Sequence, residues 1–252
     1  MTPGGPEPGA ARADLVSGLR CVGLTATDLA IEALWRYVVL VLRENRHTNL
    51  VGARNKSAMV VHVLDSLAPL ADRDLSDPVA DLGSGAGLPG IAAAIALPDH
   101  NFVLLEARSR RAHFLRTAVA ELSLQNVEVV QVRAETAGRG DLRTCFGTVL
   151  ARAVAKPAVV FELALPLLRL GGELVLYTGR QPRPTGPELY AIRRLGGELE
   201  KAKPVAVPYL EAQRHVWILR KARKTPAAFP RRSGVPETSP LTPSDVPRGT
   251  KR

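Results

Sequence analysis

The segment 79–106 constrains the fold most, because three glycines at alternate positions join a short apolar strand to a helix. The strand reads Val-Ala-Asp-Leu, and Gly83, Gly85 and Gly87 follow it. Glycine lets the backbone turn sharply and lets a ligand approach the peptide groups closely. The next strand ends at Glu106, which places a carboxylate at the same edge of the sheet. The pattern predicts a parallel α/β sheet with a ligand beside this turn.

Two adenosine-containing ligands fit such a turn, and Asp81 distinguishes them. Gly85-x-Gly87-x-x-Gly90 satisfies the dinucleotide fingerprint. Asp81 ahead of the glycines instead resembles motif I of class I methyltransferases, which bind S-adenosylmethionine. A carboxylate would repel a pyrophosphate but attracts the ammonium and sulfonium of S-adenosylmethionine. We therefore predict S-adenosylmethionine as cofactor, with Glu106 on its ribose hydroxyls; a dinucleotide and a ligand-free turn are the alternatives.

The rest of the chain shows helical spacing first and alternating patterns afterwards. Residues 13–24, a longer stretch capped by Thr25 or Thr27, and residues 57–70 have helical spacing. Short apolar runs then alternate with helices, which predicts a mainly parallel sheet. Segments 205–208 and 215–219 are expected to be its closing strands.

The predicted organisation has four parts. They are a disordered N-terminus at 1–11, an N-terminal helical segment at 12–75, a Rossmann-like S-adenosylmethionine-binding domain at 76–220, and a disordered basic tail at 221–252.

Positive charge is concentrated in that tail. The chain has a formal net charge of +10, and residues 220–252 hold nine basic and two acidic residues. The same stretch contains six prolines, so it is predicted not to bury a core. It is either a solubilising extension or a basic arm that binds nucleic acid by releasing counterions.

Several broad classes of protein are excluded by what the sequence lacks. No apolar run approaches the ~20 residues that cross a bilayer, and the N-terminal residues do not resemble a secretory signal. Cys21 and Cys145 lie far apart and form neither a metal-binding nor a redox pattern. We therefore expect a cytoplasmic protein with no membrane contact and no metal.

Missing motifs narrow the choice of methyl acceptor. Methylation of a base carbon needs a cysteine nucleophile, typically after proline, and neither cysteine here follows one. Methylation of an exocyclic amine usually uses an Asp/Asn-Pro-Pro-Tyr/Phe motif, and the corresponding place reads Leu150-Ala-Arg152-Ala-Val. Guanine N7 carries a free lone pair and needs only alignment with the methyl–sulfonium bond. No catalytic base is required, and no catalytic residue is assigned with certainty.

Four segments share their residues with one known family. They are Asn49-Leu50 with His62-x-x-Asp65-Ser66-Leu67, Asp81-Leu-Gly-Ser-Gly-Ala-Gly-Leu-Pro-Gly90, Arg133-Ala134-Glu135, and Ala151-Arg152-Ala153. Together they resemble the RsmG (GidB) family, which methylates N7 of a guanine in 16S ribosomal RNA. The resemblance covers about residues 25–180. Its departures, Val51 for Thr, Glu106 for Asp and Ala151 for Ser, remove none of the implied contacts.

The resemblance implies a class I methyltransferase fold, with a mainly parallel seven-stranded sheet and N-terminal helices, and a set of cofactor contacts. These contacts are expected from Gly83, Leu88, Glu106, Ala134, Glu135 and Arg152. Gly83 and Leu88 would line the cofactor beside the turn. Ala134 and Glu135 would frame the adenine, through a backbone N–H and a carboxylate that accepts from the adenine amine. Arg152 would lie near the methionine end or the incoming guanine.

The implied partners are 16S ribosomal RNA and the small ribosomal subunit, with the protein expected to be a monomer. Arg108, Arg110, Arg111 and Arg116 form either a solvated helix face or a phosphate-binding rim for RNA. His62 and Asp65 are expected to shape the site rather than act as an acid–base pair. A small-molecule methyltransferase and a non-catalytic RNA-binding protein are the rival functions.

Overall fold

Seven strands form one sheet in the computed structural model, which describes residues 8–243. The strands are β1 (Val79–Leu82), β2 (Phe102–Glu106), β3 (Val127–Gln131), β4 (Phe146–Arg152), β5 (Leu168–Gly179), β6 (Gly197–Val205) and β7 (Arg214–Lys221). Their order is β3-β2-β1-β4-β5-β7-β6. The first five strands pair in parallel, and β7 runs antiparallel to both of its neighbours. The mainly parallel seven-stranded sheet is therefore confirmed.

The helices precede the sheet, connect its strands or, in one case, follow its last strand along the chain. They are α1 (Pro8–Cys21), α2 (Asp28–Thr48), α3 (Lys56–Leu67), α4 (Gly90–Ala96), α5 (Ser109–Glu121), α6 (Ala134–Ala137), α7 (Pro157–Ala164), α8 (Gly186–Arg194) and α9 (Val235–Thr238). Thr27 is the N-cap of α2, since its side chain accepts the N–H of Ala30. No helix within residues 8–243 is both long and apolar enough to cross a membrane.

Helices cover both faces of the sheet because successive strand residues point in opposite directions. In β1, Val79 packs with the core formed by α1 to α5, whereas Ala80 packs with the core formed by α6 to α8. Leu104 and Leu105 of β2 divide in the same way. The carboxyl ends of β1 to β5 consequently share one edge of a rigid sheet, at which the predicted site residues converge.

Two predicted boundaries are wrong. A strand was expected at 205–208, but β6 occupies Gly197–Val205 and ends there. It lies at the sheet edge and carries charged residues on its exposed face, so it lacks the apolar run of a buried strand. The N-terminus was expected to be disordered through residue 11, but α1 begins at Pro8 and buries Ala11. Residues 1–7 lie outside the described residues.

The predicted disorder of the tail at 221–252 is wrong for residues 221–243, which pack against the domain. Phe229 and Leu241 are buried in the core that also contains α7 and α8. Residues 244–252 lie outside the described residues. The segment has few large apolar residues, which is why its composition indicated disorder.

Polar contacts also anchor this segment. Arg143 donates to the carbonyl oxygens of Thr225 at 2.8 Å and Phe229 at 2.7 Å. Lys221 is buried and donates to the carbonyl oxygen of Leu165 at 2.6 Å. Each of these bonds joins the tail to a residue that is distant in sequence, so no local pattern reveals it.

Candidate active site

The glycine turn after β1 serves two structural needs. Gly83, Gly85 and Gly87 have φ of +68°, +57° and +91°, a conformation that L side chains rarely adopt. A Cβ on Gly87 would lie 2.7 Å from Ile91, and one on Gly90 would lie 2.3 Å from Leu104. Gly90 therefore lets α4 pack closely on the sheet, and Gly87 leaves room for the Ile91 side chain of α4 beneath the turn. Gly83 instead lines the cavities above the strand ends.

Asp81 lies beneath the turn and is 1% exposed. Its Oδ2 accepts the N–H of Gly90 at 3.0 Å, whereas Oδ1 is a buried atom with no partner among the described residues. Burial raises the pKa of Asp81 to about 7, although the Gly90 N–H and the Arg152 charge act in the opposite direction. A buried carboxylate with few partners favours a cationic ligand close to the turn. The methionine part of S-adenosylmethionine, with its ammonium and sulfonium, is such a ligand.

This pKa predicts a pH dependence of donor binding. A nearby cation favours ionised Asp81, so the affinity for S-adenosylmethionine should increase as the pH rises through 7. At pH 6, one unit below that pKa, binding should be weaker by up to about tenfold. Calorimetry at pH 6 and pH 8 measures the change. Asp81→Asn is the control, since it keeps an oxygen for the Gly90 N–H; identical pH profiles in both proteins would contradict the argument.

Glu106 ends β2 and is 5% exposed. Its Oε2 accepts the N–H of Gly85 at 3.0 Å, and its Oε1 accepts the N–H of Arg108 at 2.8 Å. The carboxylate thus joins the glycine turn to the start of α5. Each oxygen keeps a further lone pair, so the group can still accept from ribose hydroxyls.

Replacing Glu106 with Ala should weaken S-adenosylmethionine and S-adenosylhomocysteine binding by about tenfold or more. Each hydrogen bond to a charged group contributes roughly 1.5–3 kcal/mol, and 1.4 kcal/mol corresponds to a factor of ten. Titration calorimetry with both ligands checks the result. Glu106→Asp retains a carboxylate and should keep most of the affinity. Loss of RNA binding alone would place the carboxylate in a different site.

Two neighbouring cavities open at this edge of the sheet, and the six residues predicted to contact the cofactor all line one or both of them, whereas Asp81 lies beneath them. The smaller, of about 230 Å³, is lined by Gly83, Glu106, Ala134 and Glu135. The larger, of about 660 Å³, is lined by Gly83, Leu88 and Arg152. Gly83 borders both, so the two cavities meet at the turn. One elongated ligand can therefore extend from one cavity into the other.

The orientation of Glu135 was not foreseen from the sequence. Its Oε1 accepts the N–H of Gly234 at 2.9 Å and so faces the C-terminal segment. A role for this carboxylate on an adenine amine stays a prediction. Ala134 begins α6 directly after β3 and borders the same cavity.

Arg152 is held rigidly at the end of β4. Its Nη2 donates to Oδ2 of Asp65 at 2.7 Å and to Nδ1 of His62 at 3.1 Å. Oδ1 of Asp65 accepts from Arg214 at 3.3 Å. The Arg152 side chain is 15% exposed and borders the larger cavity. The fold thereby brings Arg152 into contact with His62 and Asp65 of the N-terminal signature.

The protonation state of His62 follows from this contact. A guanidinium has no acceptor, so Nδ1 of His62 must accept and carries no proton. Burial lowers the pKa of His62, and the Arg152 charge lowers it further. The imidazole is neutral near pH 7 and acts as a support for Arg152. This agrees with the expectation that His62 and Asp65 shape the site.

Sequence reasoning missed two residues of the larger cavity. Tyr177, in β5, donates its hydroxyl to the carbonyl oxygen of Ser66 at 2.6 Å, and burial raises the pKa of that hydroxyl. The strand-end rule that selected Arg152 could have found it. Arg214 begins β7, and its place at this edge depends on the antiparallel direction of that strand, which no local pattern shows.

Sequence comparison identifies the family. A family model described as "GidB: rRNA small subunit methyltransferase G" matches residues 30–216. The chain belongs to this family. The ribosomal RNA small subunit methyltransferase G of Carboxydothermus hydrogenoformans is 38% identical over 226 residues, which cover 87% of this chain and 95% of that protein. The protein of the same name from Chloroflexus aggregans is 40% identical over 226 residues, or 87% and 93% of the two chains.

A solved 16S rRNA (adenine(1408)-N(1))-methyltransferase from Catenulisporales acidiphilia is 17% identical and aligns over 58% of this chain and 85% of that chain, with a TM-score of 0.47. Membership of the GidB family confirms the resemblance drawn from the motifs. It also confirms the class I methyltransferase fold, the enzyme class and S-adenosylmethionine as methyl donor. The dinucleotide and ligand-free interpretations of the turn are thereby excluded.

Proposed function

We propose that this GidB-family enzyme methylates N7 of a guanine in 16S ribosomal RNA of the small ribosomal subunit, in the cytoplasm. The observation that carries the proposal is the Arg152 cluster beside the glycine turn, which provides fixed hydrogen-bond donors and no nucleophile. Neither cysteine borders the two cavities; both are exposed elsewhere. Such a site suits an acceptor that needs positioning rather than deprotonation.

The two cavities divide the donor between them in this proposal. The smaller cavity holds the adenosine part, with Glu106 on the ribose and Ala134 beside the adenine. The larger cavity holds the methionine part, with Gly83 and Leu88 along it. When bound, S-adenosylmethionine supplies a methyl group on a positively charged sulfur.

The protein residues then act by orientation. Arg152 presents its remaining N–H groups to the larger cavity, where they can hold the donor's carboxylate or the guanine O6. The contacts to Asp65 and His62 keep the guanidinium plane fixed. The lone pair of guanine N7 needs no general base, and the titratable neighbours of Arg152 already accept its hydrogen bonds.

An RNA-facing surface adjoins the larger cavity. A third cavity, of about 660 Å³, is lined by His47, Thr48 and Asn49 at the end of α2 and by residues 108–111 at the start of α5. Arg111 borders all three cavities. Three arginines within four residues favour the interpretation of this cluster as a phosphate-binding rim, because phosphate contacts position RNA on a protein.

A transfer assay tests the proposal. The purified protein is incubated with labelled S-adenosylmethionine and small ribosomal subunits that lack the modification. Acid-insoluble label should enter 16S ribosomal RNA and become acid-soluble after ribonuclease digestion, and a parallel reaction with large ribosomal subunits should give none. Acid-insoluble label that resists ribonuclease would instead indicate a protein methyltransferase, and subunits that stay unlabelled would favour the small-molecule class.

A further inference from the structure

We propose that residues 234–237 of the C-terminal segment cover the adenine of the methyl donor and are donor-binding residues. This inference rests on the proposed function, in which the smaller cavity holds the adenosine part. The family model ends at residue 216, so residues 234–237 lie outside the part of the chain that it matches.

The first support is the anchor that fixes the segment on α7. Glu162 has a side chain that is 0% exposed, and Arg231 pairs with it. Nε of Arg231 donates to Oε1 at 2.9 Å, and Nη2 donates to Oε2 at 2.6 Å. The backbone N–H of Arg231 donates to the same Oε1 at 2.8 Å. A buried bidentate pair of this kind holds the chain in one place next to the cavity.

The second support is a tie to α6, on the cavity itself. Gly234 donates its N–H to Oε1 of Glu135, and its φ of +83° turns the chain toward the cavity. Glu135 borders the smaller cavity. The segment is therefore attached both to a helix behind the cavity and to a residue of its rim.

The third support is the placement of the next residues. Pro236 is buried and Glu237 is exposed, and both line the smaller cavity together with Glu106 and Ala134. A proline ring offers an apolar surface against the face of a purine. A carboxylate offers an acceptor for the purine amino group. Glu135 accepts from Gly234 through Oε1 and keeps further acceptor capacity, so Glu237 adds a second carboxylate that could accept from that amino group.

The test uses full-length protein and three ligands that share the adenosine part. S-adenosylmethionine, S-adenosylhomocysteine and methylthioadenosine are titrated into the wild type, into the double variant Pro236→Gly with Glu237→Gly, and into Ser233→Ala as the control. Ser233 lies in the same segment but is exposed and does not line the cavity. We expect the double variant to bind all three ligands more weakly by about fivefold or more, because packing on one face of the ring is lost. The control should bind them as the wild type does.

Hydrogen exchange on the wild type provides a second measurement that does not depend on how well a variant folds. Methylthioadenosine should slow amide exchange in residues 232–238. Unchanged exchange in these residues, or a folded double variant with wild-type affinities, would contradict the proposal that residues 234–237 bind the donor. So would a loss confined to the two ligands that carry the amino-acid part. A wild type that binds none of the three ligands would refute the proposed function itself.

Discussion

Arg152→Ala should reduce the rate of methyl transfer to 16S ribosomal RNA by about a hundredfold or more, because a small misplacement of reacting groups is that costly. The variant removes the donors that Asp65 and His62 hold in place at the larger cavity. Single-turnover transfer at saturating donor and RNA measures the effect.

The fold should survive this substitution. Asp65 keeps a second cationic partner, Arg214, so its charge does not become unpaired. Asp65→Ala should lower the melting temperature more than Arg152→Ala does, since it leaves Arg152 and Arg214 without their shared anion. Arg169→Ala is the control, because Arg169 contacts Ser76 at the opposite end of the sheet. Wild-type rates in Arg152→Ala would disprove the role given to this residue.

Gly83→Val should abolish detectable binding of S-adenosylmethionine. Gly83 borders both cavities, so a branched side chain there occupies the space in which the donor passes between them. The substitution also has a cost in stability. The φ of +68° is unfavourable for valine by about 1–2 kcal/mol, and the new Cβ would lie 3.3 Å from Val154.

Gly23 provides a control that distinguishes the effect of backbone strain from steric exclusion of the donor. Gly23 has a φ of +85° and no heavy atom within 4 Å of an added Cβ, and it lies outside both cavities. Gly23→Val should therefore lose comparable stability and retain donor binding. Calorimetry on both variants, with melting temperatures recorded in parallel, checks the prediction. Unchanged affinity in a folded Gly83→Val protein would show that the donor does not pass this turn.

The sequence predicted which candidate site residues lie together in the cases where strand ends alone determine their position. Asp81, Glu106 and Arg152 each belong to the carboxyl end of a parallel strand, and such ends meet at one edge. Knowing the strands was therefore enough to group these residues. The glycine turn was predictable for a similar reason, because glycines at alternate positions permit the positive φ angles that the turn requires.

Features that depend on distant contacts were not predictable in this way. The direction of Glu135 is set by the N–H of Gly234, and the order of the tail is set by Arg231 on Glu162. Those partners are separated by 99 and 69 residues. Composition described the tail as proline-rich and basic, which is accurate, but a few specific buried contacts hold it in place.

The position of the methyl group on the base tests the central claim most directly. Small ribosomal subunits methylated by the wild-type enzyme are digested to nucleosides, and the labelled product is identified by mass spectrometry against authentic methylguanosines. We expect 7-methylguanosine from 16S ribosomal RNA as the labelled nucleoside. A methyl group on a ring carbon or on an exocyclic nitrogen would contradict it, since the site offers neither the nucleophile nor the tetrapeptide that those reactions use.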